Sequence, residues 1–468
     1  MSPETLLYVV IVSVTWLFFL RFRNVRTRQN LMIFASFILY ASWGLGFMGL
    51  LVCSALINYA LAGWLRRDRT PARLWVGIIF NVALLGMFKY LPGIASGLPH
   101  TFISKTFIDI ALPVGISFWT FQALSYLFDV YREENLDPSF SEFLLYMLFW
   151  PTVLSGPICR LSTLLPQFRS SETLSTEDVY RGFDRICIGL VMTALGQILA
   201  SGIHTGQGLD DAFDKIRFGW SGPDVWCLAI GYGFELFFNF AGYSHIVIGA
   251  ARLFGIRLEE NFSRPYLSQT PSEFWTRWHM SLSFWIRDYL FFPLALVRRE
   301  KWWRNVALVL SMVLFGIWHK GTMLFVLWGF YQGVLLVLHR QWQGFQRRFE
   351  SKSPTLIFQF VSWLVTFCLI CLGWIFFRSN TLSQAFTLIR AAITPSSYAS
   401  HVLPSSLYLT VFVCFIGYFA TIGAIEIQRR FVGVFTTPIE LRFAVYAVAM
   451  YVGVLHALQI QPFVYFQF

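Results

Sequence analysis

The chain has 468 residues, of which 56% are apolar, 19% aromatic and only 13% charged, with a mean hydropathy of +0.58 and a net charge of +11. A soluble globular domain carries about a quarter charged residues, so the composition excludes that class and predicts a polytopic helical membrane protein. The excess of basic residues lies in short loops between apolar runs, which fits the positive-inside rule rather than nucleic-acid binding.

The start reads Met-Ser-Pro-Glu, without the basic n-region of a cleaved signal peptide, so Leu6–Leu20 is expected to be a retained first helix. Arg21, Arg23, Arg26 and Arg28 follow it and predict a cytoplasmic end there, with the N-terminus external. Leu31–Tyr40 and Phe47–Trp64 read as a helical hairpin returning to Arg66, Arg67, Arg69 and Arg73. Leu74–Tyr90 crosses outward, and Pro92–His100 is expected to be an external loop.

Phe107–Val130 re-enters, interrupted by Pro113 and Gly115. Ser139-Phe140-Ser141-Glu142 has the form of a capping box, opening a helix too short and too broken at Trp150–Pro157 to span. That segment is read as re-entrant, because Arg160, Arg169, Arg181 and Arg185 follow it. Ser175 is expected to cap the helix crossing near Ile186–Ala200, and Gly202–Pro223 is a polar external loop. Trp226–Phe240 returns, with a break expected at Asn239–His245 before Ile246–Phe254. The broken segments Pro113–Phe118, Trp150–Pro157 and Asn239–Ser244 are expected to line a cavity, since freed backbone groups at membrane depth need protein or water.

Arg257–Arg304 is the most charged segment. Thr270-Pro271-Ser272-Glu273 reads as a capping box with proline at the first helical position. The helix expected after it carries Trp275, His279, Leu282 and Ile286 on one face. Asn305–Ile317 then climbs to Phe315-Gly316-Ile317-Trp318-His319-Lys320-Gly321, and Thr322–Leu338 descends. Leu356–Phe377 goes out, Ser379–Ser406 is an external loop with an interfacial helix, Leu407–Ile427 comes in and Phe443–Leu458 goes out. The expectation is a single membrane domain over residues 1–468, about 11–12 spans and both termini external.

The seven cysteines are scattered, and Cys368 and Cys371 sit one turn apart in an apolar run as small core residues rather than metal ligands. No P-loop and no Gly-x-Ser-x-Gly elbow is present in the sequence. What remains is two histidines in aromatic, helix-breaking contexts, His319 and His279. An ionisable group inside a membrane is costly and is a functional-site hypothesis by default. Imidazole suits general base work near neutral pH, and desolvation keeps it neutral. His319 and His279 are the candidate catalytic residues. Trp318, Trp278, Arg277, Arg287, Asp288, Asn239 and Tyr243 are the candidate substrate contacts, with Arg277 and Arg287 suited to donor phosphates.

The stretches LPVGISFWTFQ (112–122), YLFDVYR (126–132), SGPICR (155–160), ENFSRPY (260–266), EFWTRWHMSLSFWIRDYLFFP (273–293), GIWH (316–319), WGFY (328–331) and PFVYFQF (462–468) stand out. In them the chain resembles the membrane-bound O-acyltransferase family, in its bacterial branch of alginate and peptidoglycan O-acetyltransferases. By this resemblance His319 matches the near-invariant family histidine and His279 the second family histidine. The resemblance implies an all-α ring of helices around a central tunnel, with a thioester donor from the cytoplasm and an acceptor from outside. No tightly bound cofactor is implied. The donor is expected to be acetyl-CoA or an acyl carrier, with a periplasmic or extracellular acetyltransferase as partner, an acyl carrier protein as a second partner, surrounding membrane lipids and no nucleic acid. The bacterial inner membrane is the expected location. Relatives usually carry glycine directly after the histidine, where this chain has Lys320, and aspartate after Gly-Tyr-Ser, where it has His245. D-alanyl transfer to teichoic acid is the second reading, which the basic segment Arg257–Arg304 would suit through an acidic carrier protein. A polytopic transporter is the third, disfavoured by the lack of an inverted repeat and of intramembrane carboxylates beyond Glu235.

Overall fold

Long runs of Leu, Phe, Ile and Val with few charges leave the backbone no partner but itself, and in lipid that means helix. The computed structural model describes residues 3–96, 110–134, 136–202, 208–215, 220–346, 355–431, 444 and 446–451. Every regular element among them is helical. Among the described residues seven helices are long and apolar enough to cross a membrane: Leu45–Arg67, Pro71–Lys89, Thr176–Ser201, Gly222–Arg252, Met323–Gln346, Leu356–Arg378 and Ser405–Ile427. Leu6–Arg21 and Leu382–Ile393 are shorter apolar helices. The protein is an all-helical, multi-pass membrane protein. Most of the expected last span, Phe443–Leu458, and the motif at 462–468 lie outside the described residues.

The chain packs as two compact units, one of Met1–Ile186 with Ser244–Glu260, the other of Cys187–Tyr243 with Asn261–Phe468. The first unit contains α1 (Pro3–Arg21), α2 (Val25–Ala41), α3 (Leu45–Arg67), α4 (Pro71–Lys89), α5 (Leu91–Ser96), α6 (Ile116–Tyr131), α7 (Phe140–Leu148) and α8 (Leu161–Phe168). Asn58 on α3 and Asn81 on α4 are fully buried and exchange amide hydrogen bonds at 3.1 and 2.7 Å. The capping box at α7 forms as expected: Ser139 Oγ accepts from Glu142 N–H, and the Glu142 carboxylate accepts from Ser139 N–H at 2.7 Å. The same carboxylate takes two hydrogen bonds from Arg169, at 2.7 and 2.8 Å. Residues 149–159 are irregular yet buried throughout, and Trp150 N–H donates to Ser36 Oγ at 3.2 Å. The segment expected to be re-entrant is thus packed within protein. At Pro92–His100 the described part, Leu91–Ser96, is the short helix α5 instead of a loop.

Two helices are shared by the units in sequence, α9 (Thr176–Ser201) and α11 (Gly222–Arg252). Ser175 Oγ accepts from Asp178 N–H at the start of α9, as its position predicts. Between these helices, part of the expected loop is the helix α10 (Leu209–Lys215). The break expected at Asn239–His245 is absent, because α11 runs unbroken through it. The small residues there serve helix contact instead. A methyl group on Gly242 would lie 2.6 Å from Thr193 Oγ1 and 2.8 Å from Gly189 O of α9, so glycine is what lets the two backbones touch.

The second unit continues with α12 (Pro271–Trp275), α13 (Met280–Trp285), a π-helical turn (Ile286–Phe291), α14 (Phe292–Leu296), α15 (Lys301–His319), α16 (Met323–Gln346), α17 (Leu356–Arg378), α18 (Leu382–Ile393) and α19 (Ser405–Phe431). The single amphipathic helix expected over Trp275–Ile286 is broken in the middle. Thr270 caps α12 by accepting from Glu273 N–H at 3.1 Å, and the helix stops after five residues. His279 then takes the left-handed conformation (φ 43°, ψ 54°) and heads α13. The Glu273 carboxylate accepts from Gln269 N–H, one residue earlier than a capping box requires.

Candidate active site

The helix break decides where His279 points. Residues 261–263 are pinned to residues 277–281 by backbone hydrogen bonds, Ser263 N–H to Arg277 O and Met280 N–H to Asn261 O, both 2.9 Å. A non-glycine residue with positive φ costs about 1–3 kcal/mol and persists where its surroundings enforce it. Here the pinned strand-like contact enforces it, and the residue is 2% exposed. Asn261 Oδ1 lies 3.3 Å from His279 Nδ1. The Phe240 ring stands edge-on to the imidazole at 4.6 Å. Burial pushes the His279 pKa down to about 3, so the side chain is neutral at physiological pH.

His319 is placed by the hairpin of α15 and α16. These helices touch closely through small residues, as membrane helices do. A methyl group on Gly329 would lie 2.2 Å from Met312 O. His319 is the last residue of α15 and is 5% exposed. Aromatic rings surround it: Phe315 and Trp318 at 4.7 Å, Phe377 at 5.2 Å and Trp328 at 5.5 Å. Lys320, directly after it, is exposed and ends the helix with its N–H on Gly316 O.

The two histidines line one small cavity of about 20 Å³, walled by Leu236, Phe240, Trp278, Phe315, Trp328, Trp374 and Phe377. That volume is room for about one water. Each helix that contributes supplies bulky apolar groups: α11 gives Leu236 and Phe240, α15 Phe315, α16 Trp328, and α17 Trp374 and Phe377. The arrangement brings two imidazoles into a desolvated site where proton transfer is screened from bulk water.

Of the residues singled out from the sequence, His319, His279 and Trp278 meet in this cavity. Trp318 packs behind it, stacked on Phe315 at 6.0 Å. Arg277 is paired with Glu273 at 2.6 Å, and Arg287 with its neighbour Asp288 at 2.7 Å, all away from the cavity lining. Asn239 is buried on α11 against the backbone position of Gly196, and neither it nor Tyr243 lines the cavity. Leu236, Phe240, Trp374 and Phe377 were not singled out. Trp374 and Phe377 are three apart on one face of α17, a signal hidden in a run that reads only as a lipid crossing.

The sequence matches the family model of MBOAT, the membrane-bound O-acyltransferase family, over residues 100–378, which contains both histidines and the whole cavity lining. The chain is 32% identical over 398 residues to the peptidoglycan O-acetyltransferase of Helicobacter pylori, covering 77% of this chain and 73% of that protein. It is 31% identical over 380 residues to a probable alginate O-acetylase of Azotobacter vinelandii, covering 78% and 72%. A teichoic acid D-alanyltransferase of Streptococcus thermophilus is 34% identical over 246 residues, covering 49% and 57%. With these matches over most of its length, the chain belongs to the membrane-bound O-acyltransferase family and is a membrane-bound O-acyltransferase.

Proposed function

We propose that this enzyme takes an acetyl group from a cytoplasmic thioester donor and passes it across the membrane for O-acetylation of an exported polysaccharide or peptidoglycan. The observation that carries the reading is the pair of buried histidines on one small aromatic cavity. His319 acts as general base. It takes the proton from the accepting hydroxyl as that oxygen attacks the thioester carbonyl, and returns it to the thiolate as the carbon–sulfur bond breaks. The imidazole thus ends as it began, and the reaction needs no external proton source. His279, neutral in its buried position, orients or assists.

The size and chemistry of the cavity favour acetyl over the alternatives. Its tryptophan and phenylalanine walls leave little room, which disfavours long acyl chains. A D-alanyl group would bring an ammonium into the site. Among the described residues lining the cavity none is a carboxylate, so that charge would be desolvated without a partner. The basic loops are assigned to the cytoplasmic face of a bacterial inner membrane. The final transfer to polymer is assigned to an extracytoplasmic partner acetyltransferase. The test is compositional analysis of cell-envelope polymers for ester-linked acetate with and without this gene: loss of acetate supports the reading, and loss of ester-linked D-alanine instead supports the second reading.

A further inference from the structure

Asn261 joins the site from outside the cavity, and its hydrogen bonds fix more than position. Its side-chain oxygen accepts from Ser281 N–H at 3.3 Å and from Ser281 Oγ at 2.6 Å. A backbone N–H can only donate, so the side-chain atom facing residue 281 is the carbonyl oxygen and not the amide nitrogen. The same oxygen lies 3.3 Å from His279 Nδ1. A carbonyl oxygen has no proton to give, so this contact is a hydrogen bond only if Nδ1 carries the proton. Asn261 is fully buried and Ser281 is buried beside it, so the group cannot turn to water for a substitute.

We propose that Asn261 is a positioning residue that holds His279 as the Nδ1–H tautomer, leaving Nε2 as the lone-pair nitrogen of the ring in the cavity shared with His319. A neutral imidazole protonated on Nδ1 has an unprotonated Nε2 as a matter of valence. The ring can then accept a hydrogen bond from a substrate hydroxyl or receive a proton, and cannot donate from Nε2. The left-handed backbone at His279 and the hydrogen bond of Met280 N–H to Asn261 O keep the two side chains in register. His319, on α15, is the other titratable group among the described residues lining the cavity. The remaining walls, from α11, α15, α16 and α17, are uncharged. This inference deepens the acyl-transfer reading and rests on it for the functional meaning of the tautomer, while the tautomer itself is measurable without any acyl transfer.

The experiment is ring-nitrogen NMR of the full-length protein in lipid nanodiscs with isotope-labelled histidine. The His279 signals are assigned by their loss in His279→Gln, and spectra are taken from about pH 5 to pH 8, where histidine ordinarily titrates. The expected wild-type result is a protonated Nδ1 and an unprotonated Nε2 across the range. In Asn261→Asp the carboxylate keeps the same tautomer, but imidazolium appears at a higher pH than in wild type. Asn261→Leu removes the acceptor, and its His279 signals should shift toward the Nε2–H form. Its acyl transfer should fall by about 10²-fold, the low end of a general base contribution. A wild-type His279 protonated on Nε2 overturns the proposal, as does an Asn261→Asp protein whose His279 ring is protonated on Nε2. The second arm holds even where the leucine variant fails to fold. If the tautomer is as expected while His279→Gln transfers acetyl normally, the functional reading of His279 fails and the tautomer assignment stands, so the two are separable.

Discussion

His319 ends a helix inside a cage of aromatic rings, a costly place for an imidazole unless it is used. General base catalysis contributes roughly 10²–10⁴-fold, a barrier change of about 3–5 kcal/mol. One interhelical hydrogen bond in a membrane protein is worth on the order of 0.6 kcal/mol. His319→Ala and His319→Gln should therefore abolish acyl transfer with near-normal protein level in the membrane, as read by immunoblot beside an activity assay. Lys320 faces outward, so Lys320→Gly should keep substantial activity, and complete inactivation at normal protein level would bring the lysine into the site. His279 also carries an acid-stability signature. Its pKa is about 3 when folded and near the ordinary value of about 6.5 when unfolded, so below about pH 6.5 the unfolded chain binds the extra proton. The stability this group contributes is fully present above that pH and falls as pH drops toward 3. Thermal unfolding of His279→Gln should show a flatter dependence on pH through that window than the wild type.

Among the elements, α7, α15 and α16 carry the clearest consequences. A valine at Gly329 would drive its side chain into Met312 O, and overpacking of this kind costs about 1–3 kcal/mol. Gly329→Val should lower the unfolding temperature and also lose activity, because it spreads the hairpin that presents His319. At α7 the hydrogen bonds from Arg169, aided by those from Ser139, hold the Glu142 carboxylate down at about 2. That contribution is present above the ordinary carboxylate pKa of about 4.3 and is lost as pH falls toward 2. Glu142→Gln should weaken the protein near neutral pH and flatten its acid limb. These elements also mark what the sequence discloses. Caps at Ser139 and Ser175 were legible because a side-chain oxygen three residues before a helix N–H is a local signal. The straight course of α11 was not, since Gly242 reads as a breaker until α9 is known to lie against it. The break before His279 was hidden for the opposite reason: it is imposed by residues 261–263, distant in sequence. The histidines themselves stood out because imidazole is rare in apolar runs, whereas Trp374 and Phe377 look like any lipid-facing aromatic until the cavity gathers them.

At the scale of the whole molecule, the proposed topology puts the basic loops in the cytoplasm and the segment around α18 outside. Cysteines at Arg23 or Arg299 should resist an impermeant thiol reagent added to intact cells, while one at Ser400 should react, against the background of the seven native cysteines. Equal labelling of all three from outside would sink this topology. The central claim is acetyl transfer by His319 in the shared cavity. It is tested most directly by measuring ester-linked acetate on envelope polymers in a deletion strain complemented with wild type or with His319→Gln. Wild type should restore the acetate and His319→Gln, present at equal level in the membrane, should not. Restoration by His319→Gln at the wild-type rate would contradict the account, leaving that histidine a structural residue and the base elsewhere.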